Sequence, residues 1–199
     1  MVNLAINGIG RIGKLVLKLL ISKNFNVKYL NELNGNTNSL IHSIEFDSIH
    51  GKWQANIEEG KDEIKIDGKS IKATFVENIN DLSLDDVDIM IDCTGVHKSS
   101  SKLQKYYDKG VKKVIVSAPI NEDNIVNIAY GVNHNIYKPK EHNIITGASC
   151  TTNCIAPIIK VLHENIGINH GSITTIHNLT NSQTLVDIPH NDLRRGRSA

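Results

Sequence analysis

The sequence predicts an α/β fold in which a parallel sheet is covered by crossover helices. Short β-branched runs alternate with helical stretches along the chain. A glycine-rich turn from Gly8 to Gly13 joins the first run to the first helix, and an acid, Glu32, closes the second run. Composition agrees, because 40% of the 199 residues are hydrophobic and 22% charged, the balance of an ordinary globular protein.

Each element has its own justification. Val2–Asn7 is the first strand, short, mostly apolar and stopped by Gly8 and Gly10. Arg11–Ser22 follows as a helix, with Ile12, Leu15, Val16, Leu19 and Leu20 on one face at helical spacing. Val27–Asn31 is the second strand. From about Asp47 to Ala73 the pattern becomes a hairpin, since Ile64 and Ile66 lead into Asp67-Gly68, a dipeptide suited to positive-φ turns, and then Ile71. Asp88–Cys93 and Val111–Ser117 are β-branched runs closed by Thr94-Gly95 and Ala118-Pro119, and Asn143–Thr146 is another. Cys150–Asn165 reads as a helix with Ile155, Ile158, Ile159 and Leu162 spaced for burial and Gly167 as its stop. Ser172–His177 then reads as a strand.

Charge and cysteine content exclude several function classes. Lys and Arg total 22 against 21 acids, so no net field favours nucleic acid or an anionic membrane. No apolar run reaches the roughly 18 to 20 residues of a membrane helix, and the N-terminus opens with a polar-interrupted run in place of a charged-then-apolar leader, so a cytoplasmic protein is expected. The three cysteines, Cys93, Cys150 and Cys154, are too few and odd in number for a secreted disulfide framework.

Gly8-Ile9-Gly10-Arg11-Ile12-Gly13 is a G-x-G-x-x-G set between strand and helix. In that context Gly8 makes the tight turn, Gly10 admits a pyrophosphate to the backbone, and Gly13 lets helix and strand pack closely, while the N–H groups of the helix N-terminus face the anion. Glu32 stands nineteen residues after Gly13, where a carboxylate accepts both ribose hydroxyls and repels a 2′-phosphate. The expected fold is therefore a Rossmann-type doubly wound sheet, and the expected cofactor is NAD rather than NADP. Three glycines that merely make a turn are the plainer alternative.

Cys150 opens a helix directly after a strand, and a thiol so placed can titrate at about 3.5 to 7.5 instead of about 8.5. It is the candidate nucleophile. Cys154, one turn deeper, is expected to be buried, and Cys93 to end a core strand. A single C-x3-C with His163 and no second pair does not make a zinc site, so no metal is expected. His177 ends the last predicted strand ahead of a polar run, where it can pair with a thiolate and donate a proton, or be an ordinary exposed histidine.

Six segments together resemble phosphorylating glyceraldehyde-3-phosphate dehydrogenase. They are Asn7 to Gly13, Phe46-Asp47-Ser48-Ile49-His50-Gly51, Ser117-Ala118-Pro119, Gly131-Val132-Asn133-His134, Ala148 to Cys154 with its Ser149-Cys150-Thr151-Thr152-Asn153-Cys154 signature, and Asp192-Leu193-Arg194-Arg195. The match runs through the chain in order. It implies that Cys150 attacks a triose phosphate aldehyde, that hydride passes to nicotinamide, and that inorganic phosphate releases the thioacyl group as an acyl phosphate. His177 would be the base, and the Cys150 N–H would help hold the oxyanion.

By the same resemblance Ser149, Thr151, Thr180 and Arg195 bind the substrate phosphate or the attacking phosphate, although Ser149 could equally cap the helix. Arg11 and Ile12 match the pyrophosphate contacts, Glu32 the ribose acid, and Ser117 with Thr94-Gly95 the nicotinamide half. Ile188-Pro189 falls where the family's loop touches a neighbouring subunit's adenosine, and Pro189 accompanies NAD preference. A homotetramer is implied for the full-length enzyme. Residues 1–149 would be the NAD-binding domain and 150–199 the truncated start of an α+β catalytic domain.

Departures from the family pattern widen the substrate question. Asn31-Glu32-Leu33 also resembles erythrose-4-phosphate dehydrogenases, and Asn78 stands where many members carry an arginine near the adenine. The segment from Thr175 to Ala199 is similar to a bacterial subgroup associated with arsenate-resistance genes, for which arsenate is the implied acyl acceptor. The chain stops inside the family's tetramer loop, which makes it an N-terminal piece expected to fold only to about Ala148 and to lack turnover by itself. Two other classes stay open: an NAD-binding module without catalysis, and a cysteine hydrolase or acyltransferase that would leave the glycine loop idle.

Overall fold

The computed structural model describes residues 1–180, 183 and 189–194. It divides into two units, Met1–Val161 and Leu162–Ala199. In the first, β1 (Asn3–Asn7), α1 (Arg11–Ser22) and β2 (Asn26–Asn31) form a crossover whose strands pair in parallel. Next, α2 (Thr37–Glu45) leads into a small antiparallel ribbon of β3 (Phe46–Asp47) and β4 (Gly51–Lys52). An antiparallel meander of β5 (Ile57–Gly60), β6 (Glu63–Ile66) and β7 (Lys69–Thr74) returns to lie parallel to β2. The turn between β6 and β7 is Asp67-Gly68, with φ of 49° and 79°, as the hairpin dipeptide predicted.

The chain then crosses to the other side of β1. In order come β8 (Ile89–Asp92), α3 (Ser100–Tyr107), β9 (Lys113–Val116), β10 (Val126–Asn127), β11 (Ile144–Thr146) and α4 (Cys150–Asn165). The nine-stranded sheet has the order β10-β11-β9-β8-β1-β2-β7-β6-β5. Because β2 and β8 flank β1 on opposite sides, the topological switch lies at the carboxyl end of β1, where open α/β sheets bind ligands.

Both faces of this sheet are covered. Ala5 and Met90 pack with Leu103, Tyr106 and Val114 on one face, whereas their neighbours Ile6 and Ile91 pack with Leu17, Leu30 and Ile44 on the other. Alternation along a strand demands that division, and helices on both faces complete the doubly wound Rossmann-type fold that the sequence predicts.

Several expectations are corrected. The face of α1 that turns inward carries Gly13, Leu17 and Ile21, with Val16 and Leu20 beside them, while Ile12 is 52% exposed and Leu19 lies outside. Gly13 sets this rotation, since only the stripe that contains it can approach the loop closely. The predicted strand Ser172–His177 has no regular structure, and among the described residues no strand pairs with it. Regular structure continues past Ala148 through α4, yet α4 buries no side chain, and Ile158 is 57% exposed. Its apolar spacing marks a face suited to burial without specifying a cover. Cys154 is likewise exposed rather than buried, and Cys93 lies one residue beyond β8, half-buried. In the second unit Gly167 ends α4 as expected, at φ 87°, with its N–H on the Leu162 and His163 carbonyls.

Candidate functional site

The carboxyl edge of the sheet has a polar floor. Among the described residues the buried polar side chains are Asn7, Asn31, Asp92 and Thr146, and each is the last residue of its strand, β1, β2, β8 and β11 respectively. Asn31 donates to Asn7 Oδ1 at 2.8 Å, Asn7 donates to the Tyr106 hydroxyl at 2.7 Å, and Tyr106 donates to Asp92 Oδ2 at 2.8 Å. Burial, reinforced by the Asp92 charge, drives the Tyr106 phenol far above its ordinary range, so the hydroxyl remains a donor. The other Asp92 oxygen takes the Thr94 N–H at 3.0 Å and hydroxyl at 2.7 Å, and His97 Nδ1 lies 2.6 Å from Oδ2. A buried carboxylate is tolerable only with partners of this kind.

The glycine loop rests on this floor. Gly8 has φ 87°, and its N–H donates to the Asn31 carbonyl at 2.8 Å. A Cβ on Gly8 would meet the Cys93 and Thr94 backbone at 2.8 Å, and one on Gly13 would lie 1.9 Å from the Gly8 carbonyl oxygen. At Gly10 and Gly95 nothing stands within 4 Å of that position, so the backbone faces open space. Glu32 sits at the rim, where Oε2 accepts the Ile9 N–H at 2.7 Å and Oε1 the Leu33 N–H at 3.0 Å. Arg11 and Ile12 are exposed on the first turn of α1.

Neighbouring groups brace the loop. Lys14 pairs with Asp47 at 2.5 Å; this ammonium, with the His50 and Ile49 N–H groups, holds the Asp47 carboxyl well below its usual range. Burial pushes the Cys93 thiol up to about 11 against the opposing hydrogen bond from Ser117, so Cys93 is a poor nucleophile. Beside the floor, a cavity of about 330 Å³ is lined by Glu77, Asn78, Ile79, Val96, His97, Lys102 and Lys105.

The turn from β11 to α4 carries the thiol. Gly147 donates its N–H to the Val116 carbonyl at 2.9 Å, Ala148 adopts φ 57°, and Cys150 is the exposed first residue of α4. Ser149 Oγ accepts the Thr152 N–H at 3.0 Å, which is the capping role open to it. Asn153 donates to the Gly147 and Ser149 carbonyls at 2.7 and 2.9 Å and closes the turn. Thr151 is half-buried beside Cys150.

His177, Thr180 and Pro189 belong to the second unit. His177 is exposed with Nδ1 against the Asn178 carbonyl, the half-buried Thr180 donates its N–H to Gln183 Oε1 at 2.8 Å, and Pro189 is exposed. Arg195 lies outside the described residues.

Comparison with known proteins gives this geometry a family. Residues 2–100 match the family model described as the NAD binding domain of glyceraldehyde 3-phosphate dehydrogenase, and residues 149–199 match the C-terminal domain of the same enzyme. Glyceraldehyde-3-phosphate dehydrogenase 3 of Nostoc is 42% identical over 99% of this chain and 59% of its own length. The enzyme of Thermotoga maritima is 42% identical over 100% and 60%, and that of Geobacillus stearothermophilus 40% identical over 100% and 59%. The chain belongs to the glyceraldehyde-3-phosphate dehydrogenase family. It spans about 60% of the length of the curated relatives it matches.

The residues present fit the NAD of a glyceraldehyde-3-phosphate dehydrogenase. Open space over Gly10 leaves room for a pyrophosphate, and the Glu32 carboxylate stands at the rim of the same edge. Among the described residues no helix is long and apolar enough to cross a membrane. The sequence alone assigns no role to Asn31, Asp92, His97, Tyr106 or Thr146. For Asn31, Asp92 and Thr146 the signal is a single polar residue closing an apolar run.

Proposed function

We propose that this chain carries the NAD-binding and nucleophile-bearing part of a phosphorylating glyceraldehyde-3-phosphate dehydrogenase, cytoplasmic and homotetrameric at the relatives' full length. The observation that carries the reading is Cys150, exposed at the first residue of α4, on the turn that leaves the same sheet edge as the glycine loop. Helix N–H groups stabilise a thiolate there, and the thiolate adds to the aldehyde carbon of glyceraldehyde 3-phosphate. The Cys150 N–H stabilises the resulting oxyanion, which takes a proton from the His177 imidazolium, and neutral His177 accepts that proton back as the hemithioacetal is oxidised. Bound NAD supplies the hydride acceptor.

Gly8, Gly10, Arg11, Ile12 and Gly13 hold the pyrophosphate, Glu32 the ribose, Thr94, Gly95 and Ser117 the nicotinamide half, and Pro189 a neighbouring subunit's adenosine. Ser149, Thr151, Thr180 and Arg195 hold the substrate phosphate and the attacking phosphate, or arsenate in its place. Attack on the thioacyl carbon breaks the carbon–sulfur bond and returns the Cys150 thiolate.

The test is an acyl adduct. Incubation of the protein at the relatives' full length with glyceraldehyde 3-phosphate and NAD, phosphate withheld, should leave one acyl group on Cys150 by mass spectrometry, discharged by phosphate or arsenate and absent in Cys150→Ser. Erythrose 4-phosphate is run in parallel to choose between aldehydes. NAD binding without any adduct would reduce the chain to a nucleotide-binding module, and absence of NAD binding would overturn the reading entirely.

A further inference from the structure

One carboxamide ties the thiol-bearing turn to the segment that follows β9. Ala148 is 6% exposed and left-handed, a conformation unfavourable for a residue with a Cβ, so something must hold it there. Its N–H donates to Thr146 Oγ1 at 3.0 Å, and the Thr146 hydroxyl, 1% exposed, donates to Asn127 Oδ1 at 2.6 Å. The same Oδ1 accepts the Ile120 N–H at 3.1 Å, and Asn127 Nδ2 donates to the Ile120 carbonyl at 2.8 Å. The amide is thus engaged at both ends. Its backbone is fixed too, since Asn127 pairs with Thr146 in the β10–β11 ladder and its carbonyl accepts from Asn133 Nδ2 at 3.0 Å.

Ile120 lies three residues after Ser117, and Ala148 two before Cys150. We propose that Asn127 is a positioning residue, which aims Cys150 through Thr146 and keeps that turn in register with the Ser117 segment through Ile120. The proposal rests on the reading of Cys150 as the nucleophile. Losing the Thr146 hydroxyl would leave the buried Ala148 N–H without an acceptor, and the turn would relax toward a conformation that brings it one. The first turn of α4, which carries Cys150, would then move with it.

The experiment follows iodoacetamide alkylation of Cys150 against pH in the 199-residue chain by peptide-resolved mass spectrometry, so that Cys93 and Cys154 are read separately. In the unsubstituted chain the Cys150 midpoint is expected below that of a free cysteine. Thr146→Val should raise it by about one pH unit, making alkylation at neutral pH about tenfold slower, while Thr146→Ser, which keeps the hydroxyl, should stay within about twofold. NAD affinity by calorimetry should change by less than about threefold in either, which separates a misaimed thiol from a collapsed fold. If Thr146→Val fails to fold by circular dichroism, Asn127→Ala gives the same readout from a half-buried position. An unchanged midpoint in a folded Thr146→Val or Asn127→Ala chain overturns the positioning role. An ordinary midpoint in the unsubstituted chain overturns the nucleophile reading itself, and the positioning role falls with it.

Discussion

Replacing Gly13 by alanine should destabilise the first unit, against the usual preference of helices. In an open helix alanine is favoured over glycine by about 1 kcal/mol. Here the new methyl would lie 1.9 Å from the Gly8 oxygen and 2.9 Å from the Gly8 carbonyl carbon. Contacts of this kind are comfortable near about 3.5 Å, so the separation must grow by more than about 1 Å. Gly8 cannot retreat, because its N–H is held at 2.8 Å by Asn31 and the Cys93-Thr94 backbone closes its other side. The first turn of α1 must lift instead, disturbing the Ile9 hydrogen bond to Glu32 as well.

Overpacking costs about 1 to 3 kcal/mol, and a hydrogen bond to a charged group is worth about 1.5 to 3 kcal/mol. Less the helix preference, Gly13→Ala should lose about 1.5 to 5 kcal/mol in urea unfolding, and Tm should fall by about 3 to 20 °C. Gly10→Ala is the control. Nothing lies within 4 Å of its Cβ and φ is −73°, so stability should hold within about 0.5 kcal/mol while NAD affinity by calorimetry drops at least about tenfold. A Gly13→Ala chain as stable as the parent would refute the close-approach argument, and a Gly10→Ala chain with full NAD affinity would refute the placement of the pyrophosphate.

Other perturbations separate the remaining parts. Glu32→Ala should weaken NAD by about tenfold and narrow its advantage over NADP, measured by calorimetry with both nucleotides. Burial raises the Cys93 thiol to about 11 and the Tyr107 phenol to about 12, so both bind protons more tightly folded than unfolded; the stability they contribute is intact below about pH 9 and lost as pH rises through 11 to 12. The urea midpoint should fall across that window, and Tyr107→Phe should remove part of the fall. Asp47 shows the opposite sign: its lowered carboxyl contributes stability above about pH 4 that disappears on acidification, so Asp47→Asn should flatten the acid limb of the same titration. Tyr106→Phe strands Asn7 Nδ2 and leaves Asp92 Oδ2 with His97 alone, and should cost about 1 to 3 kcal/mol in urea unfolding.

Local signals in the sequence specify several elements but not what buries them. The bounds of α1 and α4 and the Asp67-Gly68 turn follow from caps, glycines and periodicity, all properties of a few adjacent residues. The inward face of α1 does not, since its run of leucines, valine and isoleucines offers more than one apolar stripe and the close approach of Gly13 to Gly8 selects among them. Ser172–His177 shows the same boundary from the other side, because a β-branched run becomes a strand only beside a partner. In the candidate site, Gly8 to Gly13, Glu32 and Cys150 are legible because their chemistry sits in short motifs. Asn7 and Tyr106, 99 residues apart, are joined by a contact that no local pattern records.

The polar residues at the strand ends explain how this edge can serve both a nucleotide and a thiol. Past the last ladder bond a strand's backbone loses its neighbours, and loops that leave there would drift unless side chains replaced the ladder. Asn31 does so for Val76, Asp92 for Thr94 and His97, and Thr146 for Ala148. Each polar atom was withdrawn from water, and the penalty is offset because among the described residues every buried side-chain nitrogen and oxygen has a partner. An apolar floor would bury as well but would leave the loop N–H groups unclaimed and free to reorient. Under the proposed function, hydride transfer needs the Gly8–Gly13 loop, the Ser117 segment and Cys150 in one register. The side-chain cross-links set that register within the protein itself, before nucleotide or aldehyde arrives.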